Sequence, residues 1–151
     1  MIVSLHEILS QNPSISFVNS IKEQMTALYS QLSTCDEIAT NLFLQWVQHH
    51  TIFVDIDERY NIKGAITVIL EQKMIHSGKK VAHIEDVVVD SKWRNKKIGS
   101  ELLKYAVTYA KEKDCYKTIL NCSEELIPFY TRHGFTTKNV EMSYYFTNRS
   151  L

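Results

Sequence analysis

The residues from Val81 to Glu112, VAHIEDVVVDSKWRNKKIGSELLKYAVTYAKE, constrain the fold more than any other stretch. Val81–Val89 reads as a strand, and its run Val87-Val88-Val89 is β-branched and apolar on both faces, as in a strand covered on two sides. From Ile98 the period changes. Ile98, Leu102, Leu103, Ala106, Tyr109 and Ala110 fall on one helical face. Between strand and helix lies a short basic loop, Arg94-Asn95-Lys96-Lys97-Ile98-Gly99. A helix N-terminus offers unpaired N–H groups and a positive dipole end, which suit phosphate. Gly99 lets a ligand approach the backbone closely. Glu85 and Asp86 interrupt the strand. Alternation puts them on opposite faces, and carboxylates in a central strand are costly without partners, so the pair marks a candidate site.

The other elements follow from pattern. Met1–Gln11 is mixed and admits a short edge strand around Leu5–Leu9. Asn12-Pro13-Ser14 is a turn. Phe17, Ile21, Met25, Leu28 and Leu32 then share one helical face. Thr34-x-x-Glu37 reads as a capping box for a second helix, with Ile38, Leu42, Trp46 and Val47 inward and His49-His50 at its end. Strands are expected at Thr51–Ile56 and Ile62–Met74, with Gly64 marking a bulge or bend. Ser77-Gly78 turns the chain into Val81–Val89 as an antiparallel hairpin. Thr118–Cys122 is a further apolar strand, and strand–helix–strand order implies a parallel pair with a right-handed crossover. Leu126–His133 is a short helix with Pro128 in its first turn and Gly134 closing it. Val140–Thr147 is the last strand. The expected class is α/β (α+β): a mixed, mostly antiparallel sheet of six or seven strands, about four helices, and one parallel pair near the centre. Ligand sites favour the point where parallel neighbours diverge. Here that is between the carboxyl ends of Val81–Val89 and Thr118–Cys122.

Arg94-x-x-x-x-Gly99, after a strand and opening a helix, resembles the pyrophosphate loop of the GNAT superfamily of N-acetyltransferases. That loop usually reads Gln/Arg-x-x-Gly-x-Gly/Ala, and Lys97 stands at its fourth position. His83–Val89 adds to the likeness. So does Cys115–Cys122 followed by Phe129-Tyr130-Thr131-Arg132-His133-Gly134-Phe135. Together they resemble the glucosamine 6-phosphate N-acetyltransferases, from about Lys73 to Gly134. The resemblance implies one GNAT domain over residues 1–151, acetyl-CoA as cosubstrate and no metal. It implies acetyl transfer to the amine of D-glucosamine 6-phosphate, a step toward UDP-GlcNAc, in a cytoplasmic homodimer with shared active sites. Another small amine is the alternative acceptor.

Residue roles follow from the same resemblance. The backbone of Val87, Val88 and Val89 pairs with the pantetheine arm, and the Val87 N–H polarises the thioester carbonyl. Arg94, Asn95, Lys96, Lys97, Ile98 and Gly99 hold the diphosphate. Tyr130 stabilises or protonates the departing thiolate. Asn121 stands where relatives carry Asp or Glu; it serves if the useful group there is the backbone carbonyl and does not if it is a carboxylate base. Glu85 and Asp86 hold the amino sugar, with Tyr29 a weaker match. Lys73, Met74, Ile75 and His76 contact the sugar phosphate, and Tyr116 and Lys117 arrive from the partner subunit. Tyr145 replaces a phosphate-binding Arg and Leu126 replaces an Asn; Arg149 or Lys138 could compensate for the first and Ser123 or Glu124 for the second.

Composition narrows the alternatives. Lys+Arg and Asp+Glu are both 17, so Lys92-Trp93-Arg94 and Lys96-Lys97 are a single basic cluster rather than a nucleic-acid surface. No apolar run approaches the ~20 residues that span a bilayer, and no secretory leader is expected. Cys35, Cys115 and Cys122 lack C-x-x-C spacing, which favours reduced thiols. The six His show no ligand spacing. Cys122, read as ending a buried strand with no His partner, is not expected to be a nucleophile. A non-catalytic acyl-CoA-binding protein is the third reading.

Overall fold

β-Branched residues dominate the strands that the core covers, and amphipathic helices close over them. A computed structural model describes residues 1–146 and divides the chain into two compact units, Met1–Leu120 and Asn121–Leu151. In the first, strands Ile2–Ser4 (β1), Thr51–Ile56 (β2), Ile62–Gln72 (β3), Lys80–Val89 (β4) and Cys115–Ile119 (β5) form one sheet in the order β1-β2-β3-β4-β5. The first four are antiparallel neighbours, and β4–β5 is the parallel pair. Helices Leu5–Gln11 (α1), Ile15–Tyr29 (α2), Thr40–His49 (α3) and Ile98–Glu112 (α4) complete this unit. The α/β class and mixed sheet stand as expected, but with five strands and, counting Ile127–Thr131 (α5) in the second unit, five α-helices among the described residues. The parallel pair is at the edge of the sheet, not its centre.

β3 ends at Gln72 rather than Met74, and α5 spans Ile127–Thr131 rather than Leu126–His133; four larger departures each have a physical reason. Leu5, Ile8 and Leu9 are spaced i, i+3, i+4 and all buried, so they form the inner face of helix α1, and the edge strand is Ile2–Ser4 instead. Thr34 caps nothing; α3 starts at Thr40 behind Ala39. The buried Lys22 ammonium donates to the Ile38 carbonyl at 3.0 Å and pairs with Glu37 at 3.5 Å. A buried cation needs such partners, and they hold the segment before α3 out of helix. Leu32 lies beyond α2 and Leu42 faces outward, at 47% and 51% exposure. β5 comes three residues early because Asp114, left-handed at φ +58°, closes α4 in one step.

Gly64 brings α4 onto the sheet. A β-carbon there would lie 2.9 Å from the Val88 carbonyl oxygen and 3.2 Å from both Ile98 Cγ2 and Leu102 Cδ1. The expected irregularity is next to it: pairing passes from Asp55↔Gly64 to Ile56↔Ile62, leaving Lys63 as the extra residue. Ile98, Leu102, Leu103, Ala106 and Ala110 are the buried face of α4.

In the second unit a 3-10 turn at Glu124–Leu126 leads into α5, with Pro128 in its first turn. Leu126 occupies the cap position without a side-chain hydrogen bond. Gly134 follows at φ +87°. The expected final strand is not formed: residues 140–146 pair with no strand, and Thr147 lies outside the described residues. Val140, Met142, Tyr144 and Phe146 do alternate as a strand would, and they are 90, 92, 84 and 92% exposed. Alternation becomes a strand only against a partner edge.

Candidate active site

β4 carries the centre of the site. Ala65 pairs with Val88 and Thr67 with Glu85, so Ile66 alone on β3 spans Asp86 and Val87 on β4. This is a β-bulge, and Asp86 takes its left-handed position at φ +50°. Strict alternation is therefore broken, and Glu85 and Asp86 are both exposed rather than divided between two faces. On the other side β5 reaches only to His83↔Ile119. Beyond that point no strand among the described residues pairs with this edge of β4. Its last residues, Val87–Val89, keep β3 on one side, where Val88 pairs with Ala65 and Val89 with Gly64, and have no strand partner on the other.

This end of β4 leads into the basic loop. Asp90 starts it, accepting from Lys92 N–H at 2.8 Å to cap the Ser91–Trp93 turn. Asn95 and Lys97 then both take φ +63°, on either side of Lys96. Left-handed residues alternating with ordinary ones turn successive N–H groups toward one point, an anion-binding nest, and α4 begins at the next residue. Lys97 thus adopts a conformation that glycine takes more readily. Left-handed backbone costs a non-glycine residue ~1–2 kcal/mol, and glycine repays only part of that in chain entropy. Lys97→Gly is expected to stabilise the fold by about 0.5–1 kcal/mol, read as a small rise in Tm by calorimetry. Trp93 packs in the loop with Lys96 Nζ 4.5 Å and Lys63 Nζ 5.7 Å from its ring centroid. Lys63 also pairs with Asp55 at 3.0 Å.

A pocket of about 320 Å³ opens beside the bulge, lined by Asp86 with Tyr29, Cys35, Ile38, Phe43 and Trp46 among others. The Tyr29 hydroxyl meets Thr67 Oγ1 at 3.5 Å, and its ring stands edge-on to Trp46 at 5.7 Å. Burial pushes the Tyr29 phenol well above the ordinary tyrosine range, and the Asp86 carboxylate adds to this, so it stays a neutral hydroxyl. The structure thus brings Tyr29 and Asp86 together, while Trp46 and Thr67 escaped the sequence reading. Cys122 does not end a buried strand; it lies past β5 and is exposed, as is Asn121.

A second cluster lies at the other end of β4. His76 and Ser77, at φ +53° and +58°, turn the β3–β4 connection left-handed and lay the His76 ring on Tyr116 of β5, centroids 4.2 Å apart. Lys117 Nζ is 5.5 Å from the same Tyr116 ring. Lys73 pairs with Glu71, whose other oxygen takes His83 Nε2 at 2.8 Å. The Lys73 bond, then the His83 bond, hold the Glu71 carboxyl below its ordinary value. Met74 and Ile75 are exposed at this tip, at 99% and 65%. His76, Tyr116 and Lys117 thus form one group in a single chain. Val81 lies level with Lys117, and Asp86 is five residues further along β4, about 16 Å at ~3.3 Å per residue.

In the second unit Tyr130 is buried, 7% exposed, with Phe129 and Phe135 edge-on to its ring at 5.0 and 5.9 Å. Burial first, and the Cys122 thiol second, push its phenol up. Tyr145 is 68% exposed in the extended tail; Arg149 lies outside the described residues.

Comparison with known proteins places the fold. Residues 16–135 match the model of the Acetyltransferase (GNAT) family. A probable glucosamine 6-phosphate N-acetyltransferase 2 of Oryza sativa subsp. japonica is 36% identical over 130 residues, covering 80% of this chain and 78% of that protein. The glucosamine 6-phosphate N-acetyltransferase of Candida albicans is 36% identical over 118 residues, covering 74% and 79%. The crystal structure of glucosamine-6-phosphate N-acetyltransferase from Arabidopsis thaliana superposes with a TM-score of 0.83 at 28% identity, over 97% of this chain and 98% of that one.

Proposed function

The chain belongs to the acetyltransferase (GNAT) family, and from that premise we propose that it acetylates D-glucosamine 6-phosphate with acetyl-CoA, residues 1–151 acting as one enzyme domain. The observation that carries this reading is the outer edge of β4 past His83, with which no strand among the described residues pairs, followed by the nest at Asn95–Lys97. A pantetheine arm can pair with that edge as an added strand while its diphosphate meets the nest, Arg94 and the N-terminus of α4 at Ile98 and Gly99.

The chemistry needs little more. The neutral amine attacks the thioester carbon and forms the new C–N bond. The oxygen gains charge and is held by the Val87 N–H. The C–S bond breaks, Tyr130 donates a hydrogen bond or proton to the thiolate, and the amine's proton passes to water or a carboxylate. Electron-withdrawing neighbours lower the amine's basicity, so a weak base serves. Glu85 and Asp86 hold the sugar, Tyr29 borders it, and Asn121 serves through its backbone carbonyl if that is the group the position supplies. Positioning both substrates at near-attack distance supplies much of the rate.

The phosphate of the acceptor is assigned to Lys73, Met74, Ile75, His76, Tyr116 and Lys117, with Tyr145 in place of the relatives' Arg. The separation of about 16 Å along β4 exceeds the reach of a monosaccharide held at Asp86. It supports a homodimer in which each copy lends this group to the other's sugar. The exposed alternating residues Val140, Met142, Tyr144 and Phe146 support the same association. Cys35, Cys115 and Cys122 are unbridged, which suits a reducing cytoplasm.

Thiol release from acetyl-CoA with a panel of amines tests the reading. Glucosamine 6-phosphate is expected to give the highest kcat/KM. Turnover of spermidine or peptides alone overturns the acceptor, and no heat on titrating coenzyme A overturns the enzyme.

A further inference from the structure

Gln31 sits where the two halves of the site meet. It follows α2 by two residues, and its Oε1 accepts from two groups of the basic loop at once, Ser91 N–H at 3.1 Å and Arg94 Nη2 at 3.2 Å. Arg94 is fixed a second time by its Nε, which donates to the Val89 carbonyl at 3.3 Å. Two of its five N–H groups are thereby committed, and the others remain for an anion. The next residues after Gln31, from Leu32 to Cys35, line the pocket beside Asp86. That segment is anchored at its far end, where Lys22 Nζ holds the Ile38 carbonyl and Thr40 Oγ1 donates to Asn19 Oδ1 at 2.9 Å. At its near end the side-chain link to the basic loop is Gln31.

We propose that Gln31 is a positioning residue that couples the coenzyme's diphosphate to the acceptor pocket. An anion at the nest fixes Ser91 and Arg94. Through one shared oxygen they fix Gln31, and with it the wall formed by residues 32–35. Coenzyme and acceptor then each bind more tightly with the other in place, by equal factors. The proposal rests on the acetyl-CoA reading above, but no step of the transfer needs Gln31. Its sequence neighbours give no sign of the role, because the partners lie 60 and 63 residues away.

Calorimetric titration of glucosamine 6-phosphate into the free protein, and into protein saturated with coenzyme A, measures the coupling directly. In the unaltered chain, coenzyme A is expected to tighten acceptor binding about tenfold, within the usual range for coupled sites. In Gln31→Ala that factor is expected to fall to about threefold or less, with the acceptor's affinity for the free protein nearly unchanged. Gln31→Glu keeps an acceptor oxygen at the same reach and should retain the coupling. Gln31→Asn is one methylene short and should behave as Ala does. Gln31 is exposed, so unchanged thermal midpoints are expected throughout. Equal coupling in all four proteins overturns the proposal while leaving acetyl transfer intact. Absence of coenzyme A binding in the unaltered chain overturns both, and loss in Gln31→Glu together with Gln31→Ala overturns the assignment to the shared oxygen.

Discussion

Tyr130→Phe is expected to lower kcat by about 100-fold or more, the usual contribution of a positioned proton donor, while the Kd for coenzyme A stays within about twofold. The substitution removes one oxygen and leaves a ring of the same shape among Phe129 and Phe135, so packing and stability should hardly change. An interaction made only as the thiolate departs is lost from kcat and kcat/KM together. Burial has raised the phenol above its ordinary value, so the proton is retained through the whole range below about pH 10. The rate profile of the unaltered chain should accordingly show no descending alkaline limb from Tyr130 in that range. Steady-state rates of the two proteins across pH decide it; an unchanged kcat in Tyr130→Phe removes the residue from the mechanism.

Gly64→Ala is the second large effect, and it acts on the fold. The new methyl would stand 2.9 Å from a backbone oxygen of β4 and 3.2 Å from two side chains of α4. The oxygen belongs to Val88, inside a paired strand, and cannot give way alone. Overpacking of this kind costs about 1–3 kcal/mol, a fall in Tm of roughly 2–4 °C for each kcal/mol in a chain of this length. Ile98, one of the two displaced side chains, is the first residue of α4, so coenzyme A binding should weaken as well. A melting curve indistinguishable from that of the unaltered chain would show that α4 does not close on the sheet at this point.

How much of this was legible depended on range. The β-branched runs of β2 and β4 and the 3.6-residue spacing of α4 are local signals, and the elements formed close to where those signals lay. α1 was hidden because Leu5, Ile8 and Leu9 are too few to separate two periods. The start of α3 was hidden because Lys22, sixteen residues before Ile38, outweighed a local capping box. The residue types of the basic loop could be read directly, but the left-handed turn at Lys97 could not. The bulge at Asp86 arises from the register between β3 and β4, which no single stretch encodes. Trp46, Thr67 and Gln31 join the site through contacts between distant segments, and nothing beside them in the chain announces it.

The half-paired state of β4 has a consequence for how such a protein keeps out of trouble. A bare row of amide and carbonyl groups that welcomes a ligand arm would equally welcome a neighbour's strand. A coenzyme arm paired with that edge would occupy those groups, so it would double as a guard against clumping, and the chain without it would be at its most adhesive.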